Sequence, residues 1–219
     1  MKKNLNGFIF DLDGVLTNTS EYHYLAWKKL ADELEIPFDR KMNENFKGVS
    51  RRDCLALLLG NREISKKEFE VLLERKNRYY RDFLIGVSED SLFPGTLRLF
   101  EEIHSIGGRI AIASVSKNTR EIVKRLCIDE KADIILDGYS VEKTKPEPDQ
   151  FLLAARLLHA EPSECVVFED ARAGIEAAKR AGMFAVGIGA KEELPHADIV
   201  YESIGEIELE ELIEAVNNL

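Results

Sequence analysis

At 219 residues the chain has room for one large domain, or a core with a smaller companion, and enough length to bury a substantial core. Apolar residues at 45% and charged residues at 32% exclude a disordered chain, and no apolar stretch reaches the length of a membrane span. A formal net charge of -10 excludes a general nucleic-acid or membrane-surface binder, yet leaves room for an anionic substrate in a locally positive pocket.

The first predicted element is a buried strand, Gly7–Phe10, that stops at Asp11, with Asp13 two positions on. From about Thr17 to about Val87 nothing resembles a strand. The patterns "EYHYLAWKKLADEL", "SRRDCLALLL" and "KKEFEVLLERKNRYYRDFL" are helical, so this stretch reads as an insertion that returns near Phe93-Pro94-Gly95. Beyond it, apolar runs expected to be strands (109–114, 132–136, 165–168 and 184–188) alternate with helical patterns at 96–106, 119–126, 148–159, 171–181 and 209–216. Glycines just past two of these patterns, Gly107-Gly108 and Gly182, are stop signals. Strands apolar on both faces and spaced by helices imply an α/β fold. The expectation is a Rossmann-like parallel sheet flanked by helices, residues 1–16 and 87–219, with an inserted α-helical cap, residues 17–86. Cys54, Cys127 and Cys165 are far apart and read as free thiols of a cytoplasmic protein. The two N-terminal lysines precede an apolar run too short for a signal peptide.

In open parallel sheets, ligands bind beyond the carboxyl ends of the strands. Reactive residues from four segments fall there: Asp11 and Asp13; Ser114; Lys145; and Glu169 with Asp170. Four carboxylates brought together would repel one another without a cation, and hard oxygen donors suit Mg²⁺. The alternatives are that Asp13-Gly14 is a turn and Asp170 a helix N-cap, the latter compatible with metal binding. Ser114-Val115-Ser116-Lys117-Asn118 reads either as an anion site of hydroxyls and backbone N–H groups or as a helix cap. Lys145, before Pro146, is either a solvated loop charge or the cation that neutralises a transferring phosphate.

As a set, in this order, the four segments resemble the haloacid dehalogenase superfamily of phosphotransferases. The resemblance implies that Asp11 is a nucleophile forming an aspartyl phosphate, and that Asp13 is the general acid and base. It also implies that Asp11, Asp13 (through its backbone carbonyl), Glu169 and Asp170 hold Mg²⁺, and that Ser114 and Lys145 bind the transferring phosphate. In the helical stretch, His23 and Trp27 lie one turn apart, followed by "FKGVSRRD" and "ERKN". Singly these read as a packed helix and a solvated loop capped by Ser50. Together, with "ASVSKN" and "FEDARAGI", they are similar to the beta-phosphoglucomutase family within that superfamily.

That second resemblance implies a substrate site of His23, Trp27, Lys47, Gly48, Val49, Ser50, Arg51, Lys76, Ser114, Val115, Ser116, Lys117, Asn118 and Lys145. Arg51 would hold the non-transferring phosphate, helped by Ser116 and Asn118. Residues 48–50 would lie over the sugar, Thr19 would sit in a hinge, and His23 would couple closure to Asp13. The implied reaction interconverts beta-D-glucose 1-phosphate and glucose 6-phosphate through glucose 1,6-bisphosphate, in a monomer without nucleic-acid or membrane partners. The alternatives are a sugar-phosphate phosphatase and a non-catalytic sugar-phosphate-binding protein. Asn18 and Ala171 depart from the familiar pattern at positions that carry none of the implied chemistry, while Arg52 and Cys54 depart where they bear on sugar choice and not on reaction type.

Overall fold

The computed structural model describes residues 5–218, so residues 1–4 and 219 of the expected core, the N-terminal lysines among them, lie outside the described residues. Six parallel strands form one sheet in the order β3-β2-β1-β4-β5-β6. They are β1 Gly7–Phe10, β2 Arg109–Ala113, β3 Ile134–Leu136, β4 Cys165–Glu169, β5 Phe184–Ile188 and β6 Ile199–Tyr201. The five expected strands are present, β1 and β5 with the ends read from the sequence and β2, β3 and β4 with one end shifted. The sixth went unread because three half-buried residues at a sheet edge leave too short an apolar run.

Helices α5 (Thr96–Ser105), α6 (Thr119–Arg125), α7 (Asp149–Leu157), α8 (Arg172–Arg180) and α9 (Leu209–Asn217) cover the sheet. On one face Phe8, Phe10, Ile110, Ile112, Val166 and Phe168 meet Leu99, Phe100, Ile103 and Leu212. On the other Ile9, Ala111, Val167 and Ala185 meet Phe151, Ala154, Ile175 and Ala178. A strand flanked on both sides must be apolar at every position, which is why β1 reads as a continuous greasy run. At the sheet centre Phe10 stacks on Phe168, centroids 4.3 Å apart.

Between β1 and α5 lie α1 (Thr19–Glu33), α2 (Arg40–Asn43), α3 (Arg51–Leu59) and α4 (Lys66–Leu84). They build a third apolar cluster from Trp27, Leu30, Phe38, Phe46, Leu55, Leu58, Leu72 and Leu73. Ser50 and Ser65 cap α3 and α4 by accepting from the Asp53 and Glu68 backbone N–H groups. The chain leaves and re-enters the sheet layer at neighbouring points. Phe93 N donates to Leu16 O at 2.9 Å, and the Thr17 hydroxyl donates to Ser91 O at 2.7 Å.

Candidate active site

The strand order reverses between β1 and β4, and the open crevice at that switch point is where a parallel sheet offers its ligand site. Phe10 pairs with Phe168, and Asp11 N donates to Phe168 O at 2.9 Å, which sets Asp11 beside Glu169 just past the sheet. A cleft of about 780 Å³ opens here between the strand ends and the helical segment. Asp11, Asp13, Ser114, Lys145 and Asp170 line it from below, with His23, Trp27, Lys47, Arg51 and Lys76 on the opposite side.

The Lys145 ammonium is buried and donates to Asp11 Oδ1 at 2.5 Å, Glu169 Oε1 at 3.0 Å and Ala113 O at 3.2 Å. Burial disfavours its charge, but Asp11 and Glu169 more than compensate and raise its pKa. Lys145 is therefore no solvated loop charge. Asp11, Glu169 and Asp170 each offer an oxygen within 4.8 Å of the others, the one such trio among the described residues. Burial, and then the Asp11 charge, push Glu169 up to about 7, with Lys145 opposing; burial and Glu169 push Asp170 well above the carboxylate range. An all-oxygen trio so short of positive charge fits a hard divalent cation.

The Asp13 side chain stands apart from this trio. It accepts from the Thr19 hydroxyl at 2.6 Å, the Ser114 hydroxyl at 3.2 Å and the Tyr80 hydroxyl at 3.3 Å. Burial and the nearby Asp11 charge raise its pKa to about 6, close to the range in which a carboxyl both gives and takes protons. His23 Nε2 lies 3.7 Å from Asp13, and its Nδ1 is 2.6 Å from Lys76 Nζ. Burial, Lys76 and Arg51 hold His23 well below its usual pKa, so the imidazole is neutral. When Lys76 carries its proton it donates to Nδ1, which leaves the ring proton on Nε2, facing Asp13. Lys76 itself is brought down to about 7 by burial and Arg51, and lies 4.9 Å from the centroids of both Trp27 and Tyr80.

Two expectations are corrected. Asp170 does not cap α8: Ala171 occupies the N-cap and makes no side-chain cap. Asp170 instead points at Gly14, where an added Cβ would come within 2.2 Å of its Oδ2, so the φ of +93° and the close approach both demand glycine. Asn118 stands at the N-cap of α6, but its side chain donates to Asn77 Oδ1 at 3.0 Å instead of capping.

Lys47 reaches the acidic end of the cleft, 3.8 Å from Asp170 and 3.0 Å from Glu44, while Arg51 stands near Lys76 and Glu74. Gly48, Val49, Ser50, Val115, Ser116 and Lys117 line the cleft. Trp27 lines it too, but most of its surface packs inside the helical cluster, edge-on to Phe46. Sequence reading missed Tyr80, which stacks on His23 at 3.9 Å and reaches Asp13. Its signal was the spacing: Lys76 and Tyr80 are four apart and share one face of α4.

A family model described as haloacid dehalogenase-like hydrolase matches residues 5–182. The chain belongs to this family. Beta-phosphoglucomutase of Bacillus subtilis is 42% identical over 96% of this chain and 95% of its own length. The phosphorylated carbohydrates phosphatase of Thermotoga maritima is 30% identical over 82% of each. Among solved structures, beta-phosphoglucomutase from Clostridium difficile superposes with a TM-score of 0.93 at 38% identity, covering 98% of both chains.

Proposed function

We propose that the chain is a sugar-phosphate mutase that interconverts beta-D-glucose 1-phosphate and D-glucose 6-phosphate through beta-D-glucose 1,6-bisphosphate. The observation that carries this reading is the pair of unlike aspartates. Asp11 is clamped by buried Lys145 and the Asp13 N–H, whereas Asp13 is ringed by hydroxyls and poised near neutrality. The first is built to attack and the second to move protons.

In this reading the Asp11 carboxylate attacks the phosphorus of the bisphosphate, and Asp13 gives its proton to the departing sugar oxygen. The sugar monophosphate turns over in the cleft, Asp13 takes the proton of the incoming hydroxyl, and that oxygen recovers the phosphoryl group from Asp11. Ser114 and Lys145 hold the transferring phosphate. Arg51 grips the other one, with Ser116 and Asn118, a task that suits a guanidinium fork. Residues 48–50 cover the sugar, with Lys76 close by. Asp11, Glu169, Asp170 and the Asp13 carbonyl would hold Mg²⁺, which supplies charge neutralisation for the phosphoryl group.

A cap of residues 17–86 over a core of residues 1–16 and 87–219 keeps water from the aspartyl phosphate, with Thr19 at the hinge. Support for that division comes from the separate apolar cluster of the inserted helices and their adjacent entry and exit points. We also infer a cytoplasmic monomer. Among the described residues no helix is long and apolar enough to cross a membrane, and all three cysteines are free.

The phosphatase relative makes hydrolysis the second reading. Purified protein given beta-glucose 1-phosphate, Mg²⁺ and a trace of the bisphosphate is expected to yield glucose 6-phosphate in proportion to substrate consumed. Steady release of inorganic phosphate without glucose 6-phosphate would overturn the mutase reading.

A further inference from the structure

The corner between β3 and α7 is held far more tightly than a surface turn requires. Buried Asp137 accepts from the Tyr139 N–H at 3.0 Å, the Ser140 hydroxyl at 3.2 Å and Arg120 Nε at 3.0 Å, while Asp137 N donates to Ser140 Oγ at 2.9 Å. Gly138 N donates to Ser116 O at 3.0 Å, and a Cβ there would lie 2.3 Å from Val115 O. The corner is thus pressed against the expected phosphate-binding segment, and no larger residue would allow that approach. Buried Gln150 bridges it to the end of β2, donating to Ser114 O at 2.8 Å and to Asp137 O at 3.5 Å.

What this framework presents is Tyr139. The residue is 72% exposed at the cleft, with the Lys117 ammonium 4.6 Å from its ring centroid. Arg51, carried by the inserted helices, lines the same cleft. A large aromatic side chain left in solvent on a rigid mount, beside Lys117 in a cleft that Arg51 also lines, is arranged for a ligand that brings negative charge and a hydroxylated ring. A phenol is uncharged and donates one hydrogen bond, so it adds directional contact to a phosphate without adding to the repulsion between Arg51 and Lys117.

We propose that Tyr139 is a specificity-determining residue of the cleft's distal end: its hydroxyl donates to the non-transferring phosphate opposite Arg51, and its ring flanks the sugar. This rests on the sugar-phosphate reading above and adds a residue from the core side to that phosphate's grip. Such a contact serves a bisphosphate, which is held at both ends, and is irrelevant to a small phosphoryl donor that has no distal phosphate.

The test compares wild type, Tyr139→Phe and Tyr139→Ala on two donors, glucose 1,6-bisphosphate and acetyl phosphate, reading sugar monophosphate formed and acetyl phosphate consumed. Loss of the hydroxyl's hydrogen bond predicts a bisphosphate KM raised several-fold in Tyr139→Phe, and loss of the ring as well predicts about tenfold in Tyr139→Ala. Turnover of acetyl phosphate should stay within about twofold of wild type in both, since it exercises only the Asp11 end. An unchanged bisphosphate KM overturns the proposal. So does an equal loss on both donors, which marks a structural role for the ring. Bisphosphate consumption is readable whether the sugar monophosphate is isomerised or hydrolysed. A wild type that only hydrolyses therefore sinks the mutase reading and leaves the Tyr139 comparison intact.

Discussion

Two aspartates two positions apart differ in what surrounds them, and that difference predicts how they respond to substitution. Asp13→Asn keeps the shape that accepts from Thr19 and Tyr80 but can no longer shuttle a proton. Mutase turnover should fall about 10²–10⁴-fold. The melting temperature should stay level or rise at neutral pH, because the substitution removes a charge that burial and Asp11 disfavour. Turnover near wild type would remove Asp13 from its role. At this scale the sequence was informative where a charge contradicted its context, as at the end of β1. It left Lys145 open between a solvated loop charge and a phosphate-neutralising cation, because its burial depends on partners 134 and 24 positions away. It was also silent on Tyr139, which looks like any turn aromatic until the corner that mounts it is seen.

The helices between β1 and α5 share a small core of their own while Ala26, Tyr80 and Leu84 join the sheet's cluster, and their positions were legible because helical periodicity is a local signal. Serine caps at 50 and 65 sharpened two of the boundaries. What periodicity could not reveal is which faces turn inward. Trp27, singled out for the substrate, spends most of its surface holding Phe46 and the neighbouring leucines. Trp27→Ala should therefore cost about 3–5 kcal/mol in urea denaturation, as expected for emptying a buried indole site. A loss below roughly 1 kcal/mol would show that α1 and α4 close over the gap and that the residue serves mainly the cleft.

Across the whole molecule the acidic cluster makes stability depend on pH and on cations together. Glu169, at about 7, and Asp13, at about 6, bind protons more tightly folded than unfolded. Their contribution is complete below about pH 4 and is lost as pH rises through 6 to 7 in metal-free protein. Divalent cations compete with protons for the same oxygens. The gain in melting temperature on adding Mg²⁺ should thus be larger at about pH 7.5 than at about pH 5, measured against EDTA-treated protein. Equal gains at both values would argue that the cation binds elsewhere.

The meeting of Leu16 with Phe93 carries a broader implication. Since the backbone departs and comes home at one seam, the sheet can knit itself together whatever is threaded through that opening. Loop-closure cost grows only slowly with length. An ancestor could trade one set of inserted helices for another while Lys145 kept its hold on Asp11 and Glu169, but Asp13 would then need new donors in place of Thr19 and Tyr80.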